Sequence, residues 1–160
     1  MHIRTATLAD LAALTAIEAA CFPAAEAAGA EDFEKRLLVY PHHFWLLEEE
    51  GKIISFVNGM CTDEASLRDE MYENAALHQE DGAWQMIFGV NTLPQYRKKG
   101  YAGRLLRALI EDARRAGRKG CVLTCKERLV HYYESFGFRS EGVSQSTHGG
   151  ALWYEMRLAF

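Results

Sequence analysis

The 160-residue chain is notable first for what it has little of. No apolar run approaches the roughly 20 residues that span a bilayer, so no membrane segment is expected. The opening "MHIRTATLADL" has no basic stretch followed by a hydrophobic core, so no signal peptide and a cytoplasmic location are expected. The four cysteines, Cys21, Cys61, Cys121 and Cys125, form no pair of C-x-x-C motifs at zinc spacing, so no metal is expected. If "CVLTC" is a strand, Cys121 and Cys125 share a face but lie too far apart to bridge, and they read as reduced core thiols. There is no basic excess: the formal net charge is -4, which argues against general nucleic-acid binding. Internal repeats and low-complexity linkers are also missing. With 49% hydrophobic and 25% charged residues, the chain reads as one domain spanning 1–160.

The charge that is present is unevenly placed. Asp63, Glu64, Asp69, Glu70, Glu73, Glu80 and Asp81 face only Arg68 between Cys61 and Gly82, whereas basic residues dominate from Arg97 to Lys119. Elements alternate along the chain. "HIRTA" reads as a strand, and Thr7 or Asp10 caps a helix through Ala20 with Leu8, Leu11, Leu14 and Ile17 at helical spacing. "AEDFEKRLLVY" reads as a helix ending before Pro41. "HFWLLEEEGKIISFVNGM" reads as two strands joined at Glu50-Gly51. "EASLRDEMYENAALH" is helical by propensity. "AWQMIFGV" and "GCVLTC" read as buried strands flanking a long helix from about Gly100, a βαβ unit whose strands are parallel neighbours. "ERLVHYYESFGF" is a short helix, and "FRSEGVS" and "ALWYEMRLAF" are the last strands. The expected fold is mixed α/β (α+β), with about seven mostly antiparallel strands and helices on both faces.

The junction between strand and helix carries chemistry. Arg97, Lys98, Lys99, Gly100, Ala102 and Gly103 crowd into seven residues where "QMIFGV" hands over to the helix. A helix N-terminus has free N–H groups and about half a positive charge. Small residues let a ligand reach those groups, and basic side chains add charge, so the construction suits phosphate. Neither G-x-x-x-x-G-K-[ST] nor G-x-G-x-x-G is present.

Arg97-Lys98-Lys99-Gly100-Tyr101-Ala102 matches [RQ]-x-x-G-x-[GA], and in this context the chain resembles the GNAT superfamily of acetyl-CoA-dependent N-acetyltransferases. "HYYESFGF" resembles that superfamily's Y-[ED]-x-x-G-F run. "AIEAACFP", "WLLEEEGKIISFVNGM" and the segment from Leu123 to Met156 are similar to arylalkylamine N-acetyltransferases. The resemblance implies acetyl-CoA as cosubstrate, its pyrophosphate on Arg97, Lys98, Lys99, Gly100, Tyr101, Ala102 and Gly103. It also implies pantetheine paired against Phe88, Gly89 and Val90. An amine then attacks the thioester directly, and Tyr133 is the implied general acid. Lys126 stands where the family often has Asn. Trp84 and Met86 occupy the places of two histidines of the animal enzymes, so the base is not identified; His78, Glu80 and His148 are candidates. His148 and Trp84 are expected near the acceptor. The acceptor is expected to be a small aryl- or alkylamine. Protein lysine or N-terminal acetylation, or a non-catalytic acetyl-CoA-binding module, remain alternatives.

Overall fold

In the computed structural model, which describes residues 1–160, nine strands fall into two sheets. Strands β1 (His2–Thr5), β2 (Phe44–Glu49), β3 (Lys52–Asn58) and β6 (Gly89–Thr92) form one antiparallel sheet in the order β1-β2-β3-β6. The second runs β4-β5-β7-β9-β8, from β4 (Cys61–Thr62), β5 (Trp84–Ile87), β7 (Gly120–Cys125), β8 (Arg139–Val143) and β9 (Tyr154–Ala159). Only β5 and β7 pair in parallel, joined by the 15-residue helix α4 (Tyr101–Arg115), as the βαβ reading requires.

The count of nine exceeds the expected seven for two reasons. The two-residue β4 adds an edge, and "AWQMIFGV" is two strands rather than one. Residues Trp84 to Ile87 pair with β7. At Phe88 the backbone leaves β7 and donates to the Asn58 carbonyl, and Gly89 to Thr92 continue against β3. The chain therefore crosses from one sheet to the other, and β6 and β7 diverge.

Alternation along the central strands divides the core. Phe44, Leu46 and Phe56 face α1 (Leu11–Cys21) and α2 (Ala30–Val39) with Leu14, Ile17, Phe33 and Leu37. Trp45, Leu47 and Val57 face α4 with Leu105, Leu106, Leu109 and Ile110. Both faces of β2 and β3 are covered, which is why these strands read as continuous apolar runs. The two-residue turn at Glu50-Gly51 has positive φ at both positions, as a type I′ hairpin needs.

The acidic segment departs from its propensity. Only Glu70–Glu73 is α-helical (α3), followed by a single 3₁₀ turn at Ala75–Leu77. Leu67 N–H donates to Glu155 on β9, and Asp69 accepts from the Ser146 hydroxyl and the Thr147 N–H. These tertiary bonds divert the backbone from a continuous helix.

Candidate active site

The divergence of β6 and β7 opens a cavity of about 360 Å³. One wall is Ile87 to Val90 and the other Leu123 to Lys126. Tyr133, on α5 (Val130–Glu134), lines it from the α4 side. The α1–α2 loop from Phe22 to Ala28 closes the opposite side. That loop is tied down: Lys126 pairs with Glu26 at 2.8 Å, the His148 ring N–H reaches the Glu26 carbonyl at 2.8 Å, and Trp153 donates to the His148 carbonyl. The Lys126 that stands in place of the family's Asn thus anchors the roof.

At the other end of β6 the basic loop enters α4. Gly100 is the N-cap with φ +80°, and the first intrahelical bond runs from Arg104 N–H to its carbonyl, leaving the N–H groups of Tyr101, Ala102 and Gly103 without helical acceptors. Lys98 also has positive φ, so two left-handed residues curl the chain ahead of the helix. Arg97 is used internally: its Nε donates to the Thr92 carbonyl at 3.0 Å and shapes the loop. Lys98 and Lys99 are exposed. These free amides and two lysines suit a polyphosphate. Gly103 sits where a methyl would meet the Phe136 ring at 3.3 Å, so it also lets α4 approach α5 closely.

Tyr133 is 6% exposed, and burial, reinforced by Tyr132 and Cys125, holds its pKa well above the ordinary phenol range. It is a protonated phenol at every neutral pH. Tyr132 points away, is 40% exposed, and packs edge-on against Phe136.

The other expected site residues divide. His148 lines the cavity and packs tilted against the Tyr72 ring, their centroids 4.6 Å apart. Trp84 does not line it: its ring packs over Gly120 under the Arg157 guanidinium, 4.6 Å away, because the strand places residue 84 a full strand length before the divergence. His78 and Glu80 lie elsewhere too, in a cluster with His43 whose ligating atoms are within 4.8 Å of one another. There, His78 Nδ1 accepts from Cys61 N–H, so Nε2 carries the proton donated to Glu80. Burial lowers the His78 pKa, in keeping with a neutral ring. A metal on Nε2 would require a proton on Nδ1, facing another donor, so this cluster is ill suited to a cation.

Sequence reasoning missed Glu18. It leaves α1 toward β6, where Oε2 accepts from Ala28 N–H at 2.9 Å and Oε1 from Asn91 Nδ2 at 3.1 Å. It is 5% exposed, and burial raises its pKa against the lowering pull of the Ala28 amide, Arg36, Asn91 and His148. A methyl built on Gly89 would stand 3.0 Å from its Oε1. The glycine at the divergence therefore makes room for a carboxylate. The only signal in the sequence is an acid inside a helix that is apolar apart from Thr15, "LAALTAIEAAC".

A profile of the Acetyltransferase (GNAT) family matches residues 11–138, and the chain belongs to that family, whose cosubstrate is acetyl-CoA. Serotonin N-acetyltransferase from Mesocricetus auratus is 28% identical over 110 residues, 68% of this chain and 52% of that protein. The human serotonin enzyme is also 28% identical, over 109 residues, 68% of this chain and 51% of its own. The chain spans about half the length of these curated relatives. Among solved structures, the GphF GNAT-like decarboxylase in complex with isobutyryl-CoA superposes with a TM-score of 0.85 at 25% identity over 99% of both chains. A GNAT acetyltransferase from Brucella melitensis in complex with acetyl-CoA gives 0.65 at 21%, over 99% of this chain and 87% of its own.

Proposed function

We propose that this protein transfers the acetyl group of acetyl-CoA to a small primary amine with an aromatic or hydrophobic body. The observation that carries the reading is the single cavity that joins the open edge of β6 to Tyr133 under an aromatic roof. Pantetheine lies against Phe88, Gly89 and Val90, where amide groups in an apolar slot need hydrogen bonds. The phosphates rest on the loop from Arg97 to Gly103. The amine nitrogen attacks the thioester carbon, the C–N bond forms and the C–S bond breaks. Tyr133 gives a proton to the departing sulfur, and the proton that nitrogen loses restores the phenol, so amine and acetyl-CoA become amide and free CoA thiol.

Phe22, Pro23, Tyr72, Phe88 and Trp153 enclose the acceptor side. Such a wall fits a flat apolar body better than an extended peptide, and the serotonin acetyltransferases give the same direction. Glu73, the one acid of the segment before β5 on the cavity wall, attracts the ammonium form in which an amine arrives.

The likeness to a GNAT-like decarboxylase over the whole chain favours one rival, removal of CO2 from a carboxyacyl-CoA. Both are read in one experiment. Thiol release is followed with acetyl-CoA and a panel of arylalkylamines, polyamines and peptides, and CO2 release with malonyl-CoA. Amine-dependent thiol release, greatest with arylalkylamines, is the expected result. Turnover of peptides alone, or decarboxylation without amine transfer, overturns the proposal.

A further inference from the structure

We propose that the carboxylate of Glu18 receives the proton of the incoming primary ammonium, so that the acceptor is bound as a cation and made nucleophilic beside Gly89. This inference rests on the acetyl-transfer reading and names the group that prepares its nucleophile.

Position is the first argument. Glu18 lies on the α1 side of β6, the side from which the roofed part of the cavity is reached. Its Oε1 is within 3.0 Å of where a Gly89 side chain would begin, and Gly89 belongs to the strand segment that faces the cavity. A carboxylate there stands next to the point where a thioester on the open edge of β6 would be attacked.

Chemistry is the second. Each oxygen of Glu18 accepts one hydrogen bond, from Ala28 and Asn91, and a carboxylate has about four acceptor sites in all. Capacity remains for an ammonium. Of the other carboxylates of the cavity, Glu26 is neutralised by Lys126 at 2.8 Å through Oε2, although its buried Oε1 has no partner, Asp32 accepts from Gly29 N–H, and Glu73 faces solvent. The charged groups acting on Glu18 are Arg36 from α2 and His148 from the β8–β9 connection. The Arg36 guanidinium is bonded to Asn58 and the Tyr72 carbonyl and lies over the Phe88 ring, so it acts on Glu18 as a charge and not as a salt-bridge partner. His148 has one ring nitrogen committed to the Glu26 carbonyl.

Burial completes the case. In water a glutamate and an alkylammonium are separated by about six pH units, in the wrong sense for transfer. A low-dielectric cavity disfavours both charged forms, raising the carboxyl and lowering the ammonium, and so closes that gap from both sides. The pKa of Glu18 is raised by burial before any amine enters.

The test uses the whole chain, acetyl-CoA and two acceptors, an arylalkylamine and a fluorinated analogue already neutral at pH 7. Glu18→Gln keeps size and an acceptor for Ala28 N–H. Its kcat/KM with the ordinary amine should fall by roughly 10²–10⁴-fold at pH 7, and recover about tenfold per pH unit as the solution amine deprotonates. With the neutral analogue the loss should be under about tenfold, since that nucleophile needs no prior deprotonation. Acetyl-CoA affinity should not change. Glu18→Asp repeats the test with the charge kept and the arm shortened, and should show the same split between acceptors in weaker form. Equal losses on both acceptors, a loss explained by acetyl-CoA affinity or melting temperature, or a split seen in His148→Gln and not in Glu18→Gln overturns the inference alone. A parent protein that transfers acetyl to neither amine removes the inference together with the reading beneath it.

Discussion

At the residue scale, the proposed acid and its neighbouring tyrosine offer a test of chemistry against packing. Tyr133 and Tyr132 are about 100° apart on a helix, and the structure puts one in the cavity and the other on the surface. Tyr133→Phe keeps the ring and its packing but removes the proton. Turnover should fall by roughly 10²–10⁴-fold, with acetyl-CoA affinity nearly unchanged, because the hydroxyl matters as charge develops on sulfur. Tyr132→Phe should cost little. Steady-state rates with one good acceptor decide it; parent-level turnover by Tyr133→Phe would make the hydroxyl mere wall. This residue could be picked out from its local run, "HYYESFGF". Glu18 could not, because its meaning depends on Gly89, 71 positions away in the chain and brought beside it only where the chain leaves β7 for β3.

At the element scale, the start of α1 shows how one carboxylate organises a junction. Asp10 accepts from Thr7 N–H at 2.8 Å and takes both terminal nitrogens of Arg4, which also binds Glu48. Arg4 and the Thr7 bonds hold the Asp10 carboxyl below its usual range. A depressed folded value means that the stabilisation is present above the unfolded pKa and is lost as pH falls through the folded one. Asp10→Asn should lower stability by about 1–2 kcal/mol at pH 7. Its melting temperature should converge on that of the parent as pH drops below about 4. A gap that stays constant from pH 7 to pH 2 would show that shape, not charge, is what the junction needs.

At the scale of the whole molecule, ligand binding and folding are linked. Acetyl-CoA at 100 times its Kd should stabilise the protein by about 2.7 kcal/mol, and thermal melting should show it. Gly100→Val tests the phosphate loop. No protein atom lies within 4 Å of a methyl built on Gly100, so the fold has room for a side chain, but its φ of +80° strains any L-residue by about 1–2 kcal/mol. The variant should melt somewhat lower than the parent and gain nothing from acetyl-CoA. A full ligand-induced rise in folded Gly100→Val would remove the loop from the binding site.

The sequence by itself determined the βαβ unit, the hairpin at Glu50-Gly51, the helix start at the basic loop and the buried tyrosine. Each of these is written in neighbouring residues, through alternation, turn chemistry and helical spacing. Tertiary structure decided what depends on distant partners. "AWQMIFGV" reads as one strand because both of its halves are buried, and only the competing pairings with β7 and β3 break it at Phe88. The segment from Glu64 to His78 reads as a helix by propensity, and bonds to Glu155, Ser146 and Thr147 across the fold override it. Trp84 belongs to the site by counting along a strand and falls outside it, because the cavity begins only where the strands part. The role of Glu18 is hidden in the same way: its presence in α1 is visible in the sequence, and the structure alone shows that its face of the helix meets a glycine and an opening.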